Sequence, residues 1–246
     1  MKGKLVMTNQ VIGTVSDEKT FGTLSDVCFK LGKGAITPLH LKRFANRQNP
    51  FATDTIDSQI VFWTGLYMVL FAVDVRNDLL KLSWPEPDPD FWDVPMVKGL
   101  TESRVQIALV RWNKFPCGSY YDNLDATVKE NDRHPKGGTY GVRFRAFQEA
   151  DDDQKNISAN QHKEKKPQAT KGNTFLERQV LEPMFFLKSG GDHLDKETVT
   201  HCIGSRFADG DVPYAFWSGD VFYVSHGSHP GDANPYLRTR VAVLTF

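Results

Sequence analysis

Sixteen residues, Ile60 to Val75, constrain this chain more than any other stretch: IVFWTGLYMVLFAVDV. The run is the most apolar in the protein and is too short to cross a bilayer, so it belongs to a core. Both of its alternating sets are apolar. Phe62, Leu66, Met68, Leu70 and Ala72 form one, and Val61, Trp63, Tyr67, Val69, Phe71 and Val73 the other. β-Branched and aromatic residues on two buried faces predict a central strand over 59 to 75, with a break near Gly65. A basic, helical turn with Lys42, Arg43 and Arg47 feeds it through the polar break Gln48-Asn49-Pro50.

At 246 residues the chain can bury a full core as one domain carrying insertions. Three cysteines, Cys28, Cys117 and Cys202, stand at no motif spacing. With no charged-then-apolar leader and no transmembrane run, they predict a reducing, cytoplasmic setting without membrane contact. The formal net charge is zero, which argues against a strongly basic nucleic-acid binder. The distribution is less even. Residues 1 to 50 hold eight Lys/Arg and three Asp/Glu, whereas residues 51 to 100 hold three and eight. This asymmetry suits head-to-tail association or a basic groove, and it is also within ordinary fluctuation.

In chain order, residues 4 to 15 and 21 to 31 predict a hairpin, and Thr37-Pro38 opens a short helix to about 47 that turns Lys42, Arg43 and Arg47 outward. Four prolines across residues 84 to 95 exclude a helix or a paired strand there, leaving an ordered loop anchored by Trp84, Phe91 and Trp92. Val105, Ala108, Leu109 and Trp112 share one helical face, so Thr101 to Lys114 reads as a helix; alternating Val105, Ile107 and Leu109 allow a strand instead. Tyr140 to Phe147 predicts a strand with a basic face, Arg143 and Arg145. The polar, lysine-rich stretch 148 to 173 predicts an inserted mobile loop. After it come a short helix stopped before Pro183, then strands at Val199 to Phe207, Tyr214 to Trp217, Val221 to Val224 and Leu237 to Phe246.

Catalytic motifs are weak. His226, His229 and Asp232, with His201 upstream, have ligand types for zinc, yet the glycine- and proline-rich setting fits a plain turn. Ser225-His226 and Ser228-His229 are adjacent pairs without a nucleophile elbow. The phosphate-binding and dinucleotide loops are absent. Asp151-Asp152-Asp153 suits a hard cation or a solvated acidic run. Lys33, Lys42, Arg43, Arg47, Arg143 and Arg145 with Phe44, Tyr140, Phe144 and Phe147 combine the cation and aromatic types that bind single-stranded polynucleotides, though a solvated helix face and half-exposed strand would look the same.

The run from Arg47-Gln48-Asn49-Pro50 into the apolar segment, ending in Val73-Asp74-Val75, resembles the backbone (DevR-like) subunit of type I CRISPR effector complexes, of the repeat-associated mysterious protein superfamily. The Arg104 to Lys114 helix closing in Phe115-Pro116-Cys117-Gly118 is similar to that family's later helix, and Lys2-Gly3-Lys4 to its opening strand. The resemblance covers about a third of the chain. It implies an α+β, modified ferredoxin-like (RRM-like) palm sheet with thumb or finger insertions, and a non-catalytic subunit that polymerises along guide RNA. Target DNA would be read through the guide, beside other subunits of the complex, with no cofactor. The RNA-binding residues expected on that reading are Lys33, Lys42, Arg43, Arg47, Gln48, Asn49, Arg143 and Arg145. Two alternatives stay open: a β-rich structural protein of a phage or virus particle, and a metal-dependent hydrolase using His201, His226 and His229.

Overall fold

The computed structural model describes residues 55–112, 116–119, 121–165 and 172–246, all within one compact unit, Thr53–Phe246. The expected opening hairpin and the basic helix before residue 50 lie outside the described residues.

The long apolar run is a helix and not a strand. Helix α1 spans Ile56–Phe71. Thr55 and Ser58 close its start reciprocally: each side-chain oxygen accepts the other's backbone N–H, at 3.1 and 2.8 Å. The buried residues Gln59, Ile60, Trp63, Leu66 and Tyr67 form one helical face. Val61, Met68 and Val69 on the opposite face are exposed and also apolar. A segment apolar all round satisfies both periods, so alternation carried no information. The capping box at Thr55 was the deciding signal.

Helix α1 lies along β1, Phe91–Met96. Gln59 Nε2 donates to Asp93 Oδ2 (3.4 Å), Trp63 Nε1 to the Asp93 carbonyl (3.0 Å), and the Tyr67 hydroxyl to the Pro95 carbonyl (2.6 Å). β1 pairs antiparallel with β4, Tyr140–Arg145, contrary to the expectation that prolines bar a paired strand from 84 to 95. The reason is register. β1 is an outer strand, and Pro95 turns its N and C=O side away from β4. No ladder bond is lost there. On the far side of β4 runs β10, Ala242–Thr245, completing an antiparallel sheet of order β1-β4-β10.

α2 (Arg76–Leu79) lies between α1 and β1, and between β1 and β4 come α3 (Glu102–Arg111), β2 (Cys117–Gly118), α4 (Leu124–Thr127) and β3 (Val128–Asn131). The helical reading holds over the strand reading for Glu102–Arg111, with Thr101 accepting the Arg104 N–H; residues 113 and 114 lie outside the described residues. The stretch expected as a mobile loop contains a 3₁₀ turn at Asp152–Gln154 and α5, Ala159–Lys165. Ala150, Asp151, Gln154, Ser158, Ala159 and His162 are buried in it. Its backbone is tied to the later chain by Asn156 N–H to Asn234 O (3.2 Å) and Asn160 N–H to Pro230 O (3.0 Å). Backbone bonds and small residues anchor it, which composition does not reveal; residues 166–171 lie outside the described residues.

The hub is α6, Phe175–Ser189. Its start is another capping box, Thr174 with Glu177, and it ends at Gly190 in the left-handed region, φ 76°. It runs through Pro183, where the sequence predicted a stop. All ten residues from Phe175 to Met184 are buried, and packing on every side overrides the loss of one helical hydrogen bond. α6 packs on α3, on β1 and on β7 of a second sheet.

That second sheet is mixed, with order β2-β8-β7-β5-β9. Its later strands are β5 (Val199–His201), β7 (Val212–Ser218), β8 (Val221–Ser228) and β9 (Leu237–Arg238). β6 (Ser205–Phe207) pairs with β3 alone. The architecture is α+β with mixed sheets. Among the described residues no helix is long and apolar enough to cross a membrane.

Candidate functional site

The β7–β8 hairpin turns at Gly219 and Asp220, both at positive φ (54° and 65°), the conformation of a tight two-residue turn. Alternation then divides its side chains. Ala215, Trp217, Phe222 and Val224 are buried toward α6, where Arg178 lies 5.0 Å over the Phe222 ring. Tyr214, Phe216 and Tyr223 take the outer face and are half-buried. Phe216 and Tyr223, paired in register, stack at 5.0 Å and 13°, and Tyr214 follows at 6.1 Å from Phe216. Gly118 on β2 pairs with Tyr223; a Cβ there would come within 2.9 Å of the ring, so glycine is what lets the ring lie against the edge strand. A bulge in the β7–β8 pairing falls between Tyr214 and Ala215, and brings Tyr214 opposite His226 as well as His201.

The far end of this row is polar. Ser228 Oγ and His201 Nε2 are 2.9 Å apart. Burial, and then the positive charge of Arg206 and the nearby His162, push the His201 imidazole down to about 3. It is neutral at any physiological pH. An imidazole held down in this way is a weak general base. Of the proposed ligands, His229 accepts the Gly231 N–H at Nδ1, and the His226 side chain lies outside the described residues. Among the described residues no cluster of three His, Cys, Asp or Glu stands where it could hold a metal ion. Among the described residues Cys117 and Cys202 form no disulfide, and burial raises both thiols, Cys117 to about 12.

Of the cations singled out from sequence, Lys33, Lys42, Arg43 and Arg47, with Gln48 and Asn49, lie outside the described residues. Arg143 and Arg145 share β4, and each is met by carboxylate. Arg143 makes a two-pronged pair with Asp93 (2.6 and 2.8 Å), donates to the Glu86 carbonyl and lies over Phe91. Arg145 reaches Asp153 at 2.9 Å. Both guanidinium groups are held in their charged form by these hydrogen bonds.

Two buried ionic nodes hold the sheets to α6. At its first turn Glu177 accepts two bonds from Arg133, both 2.8 Å, and one from the Tyr140 hydroxyl, 2.9 Å. At the next residue of the helix, Arg178 bonds Asp195 (2.8 Å), which also joins Arg240 (2.6 Å) and the Thr200 hydroxyl, while Arg178 pairs with Glu182 at 2.7 Å. His193 bonds Glu182 at 3.0 Å and stacks flat on Trp217, 3.4 Å between centroids. Glu177, Arg178, Glu182, Asp195 and Arg240 are buried, and Arg133, Tyr140 and His193 half-buried, behind the aromatic strands.

The chain matches no protein family profile, no curated protein and no solved structure. The aromatic row was missed from sequence because both alternating sets of the hairpin are aromatic or apolar. The turn signal Ser218-Gly219-Asp220 marked the hairpin but not which set faces out.

Proposed function

We propose that this protein is a non-catalytic, single-stranded RNA-binding subunit. The observation that carries the reading is the outward row Tyr214, Phe216 and Tyr223 on the second sheet. Half-buried aromatic rings on a sheet can stack on unpaired bases, each stack worth about 1–3 kcal/mol. The row suits single strands, whose bases are free to leave their own stack. Zero net charge fits a partner held by stacking more than by bulk attraction.

The finer reading follows the sequence resemblance: a backbone subunit of an RNA-guided CRISPR complex, assembling in copies along guide RNA beside other subunits, with target DNA read by base pairing. The fold that goes with it is a modified ferredoxin-like palm. Its support is the order β1, α3, β4, α6, β10, in which three strands form one antiparallel sheet and α6 packs against both α3 and β1. Lys42, Arg43 and Arg47 would supply the phosphate contacts, in a cytoplasmic setting.

The test is fluorescence anisotropy with labelled oligouridine. Phe216→Ala with Tyr223→Ala is expected to weaken binding at least tenfold with little change in salt slope, since stacking releases no counterions. Arg43→Ala with Arg47→Ala is expected to weaken it and flatten the slope. Wild-type protein that neither retains RNA on purification nor binds oligouridine would overturn the reading, as would aromatic variants that bind like wild type.

A further inference from the structure

The outer face of α1 is built like a contact surface. Ser58, Val61, Gly65, Met68 and Ala72 are exposed in steps of three and four residues, the spacing of a seam along which two helices pack. Val61 is 60% exposed and Met68 46%, and Val69 beside them is 62% exposed. α3, which packs against α1, also exposes Ile107 and Val110. Large apolar side chains gathered on adjoining helices mark a surface that meets another protein.

Gly65 stands in the middle of this seam, inside the helix. Among the described residues, a Cβ added to it would meet nothing within 4 Å. Glycine within a helix lowers its stability, and packing among the described residues does not call for one here. A missing side chain at an exposed helical position gives a second backbone room to come close.

Symmetry identifies the occupant. Turned about a twofold axis through Gly65, an antiparallel copy of α1 sets Val61 against Val69, Ser58 against Ala72 and Gly65 against itself. Valine then meets valine, and small meets small. The ends match in charge as well. Asp57 is exposed at the start of α1, and its far end carries exposed Arg76 and Arg104, the latter 5.5 Å over the Phe71 ring. The same rotation carries each Asp57 toward the other copy's arginines.

We propose that the outer face of α1 is a self-association surface, on which a second copy of this chain docks antiparallel across Gly65. Such a contact closes on two copies and is independent of any assembly along RNA.

The experiment is sedimentation velocity on the ribonuclease-treated full chain across a concentration series. Wild type is expected to pass from one copy to two. Gly65→Leu is expected to weaken association by about tenfold or more, although leucine favours the helix itself. Val61→Glu and Val69→Lys are each expected to be monomeric alone. Mixed in equal amounts they are expected to form a heterodimer, because the antiparallel register sets the introduced carboxylate of one chain against the introduced ammonium of the other. Wild type that stays monomeric, or a dimer indifferent to Gly65→Leu, would sink the proposal. So would a mixture that associates no better than its components. Circular dichroism of each variant separates lost association from unfolding.

Discussion

Asp195 carries more of the packing than one charge suggests. It sits at φ 54°, a left-handed conformation that aspartate and asparagine tolerate better than most residues, and it holds Arg178, Arg240 and Thr200 together without solvent. Asp195→Ala leaves two guanidinium groups buried without their shared partner, and is expected to cost about 3–5 kcal/mol in urea unfolding. Asp195→Asn keeps the backbone preference and isolates the effect of the charge. His201 gives the fold a pH dependence of known sign. Its folded pKa, about 3, lies below the ordinary value of 6.5, so the unfolded chain takes up the proton first. Its contribution is complete above about pH 6.5 and is lost as pH falls toward 3, at about 1.4 kcal/mol per unit. His201→Gln is expected to flatten the fall in urea midpoint between pH 7 and pH 4; an unchanged slope would assign it to other groups.

At the scale of elements, what was legible followed from clean patterns. α3 has one apolar face and a threonine cap, β4 alternates Arg143 and Arg145 with buried Val142 and Phe144, and the C-terminal strands are set off by glycine and aspartate turns. α1 was illegible because every face of it is apolar, and β1 because proline was read without knowing which side of the strand it would face. Pro183 misled for a related reason: a helix buried on all sides survives a missing donor that an exposed one would not. The α1–β1 contact is directly testable. Tyr67, whose hydroxyl is pushed upward in pKa by burial, donates to the Pro95 carbonyl. Tyr67→Phe leaves that carbonyl unpaired and is expected to cost about 1–2 kcal/mol, read as a lower melting temperature.

For the whole molecule, the places of residues in the candidate site are set by pairings that the sequence does not display. Cations and aromatics were expected together on β4, but Arg143 is committed to Asp93, and the stacked rings of the candidate site belong to the β7–β8 hairpin. Long-range pairing decides both, and neither Asp93 nor Gly118 announces its partner locally. The sealing of β1 by α1 has a consequence for how copies of this molecule meet under stress. Loosening α1 would bare the outer edge of the first sheet, the kind of open template on which fibrils grow. An incoming strand would find carbonyls at Asp93 and Pro95 but no N–H at Pro95, so its ladder would be interrupted midway. The proline that looked like a bar to folding is, at this edge, a guard against aggregation.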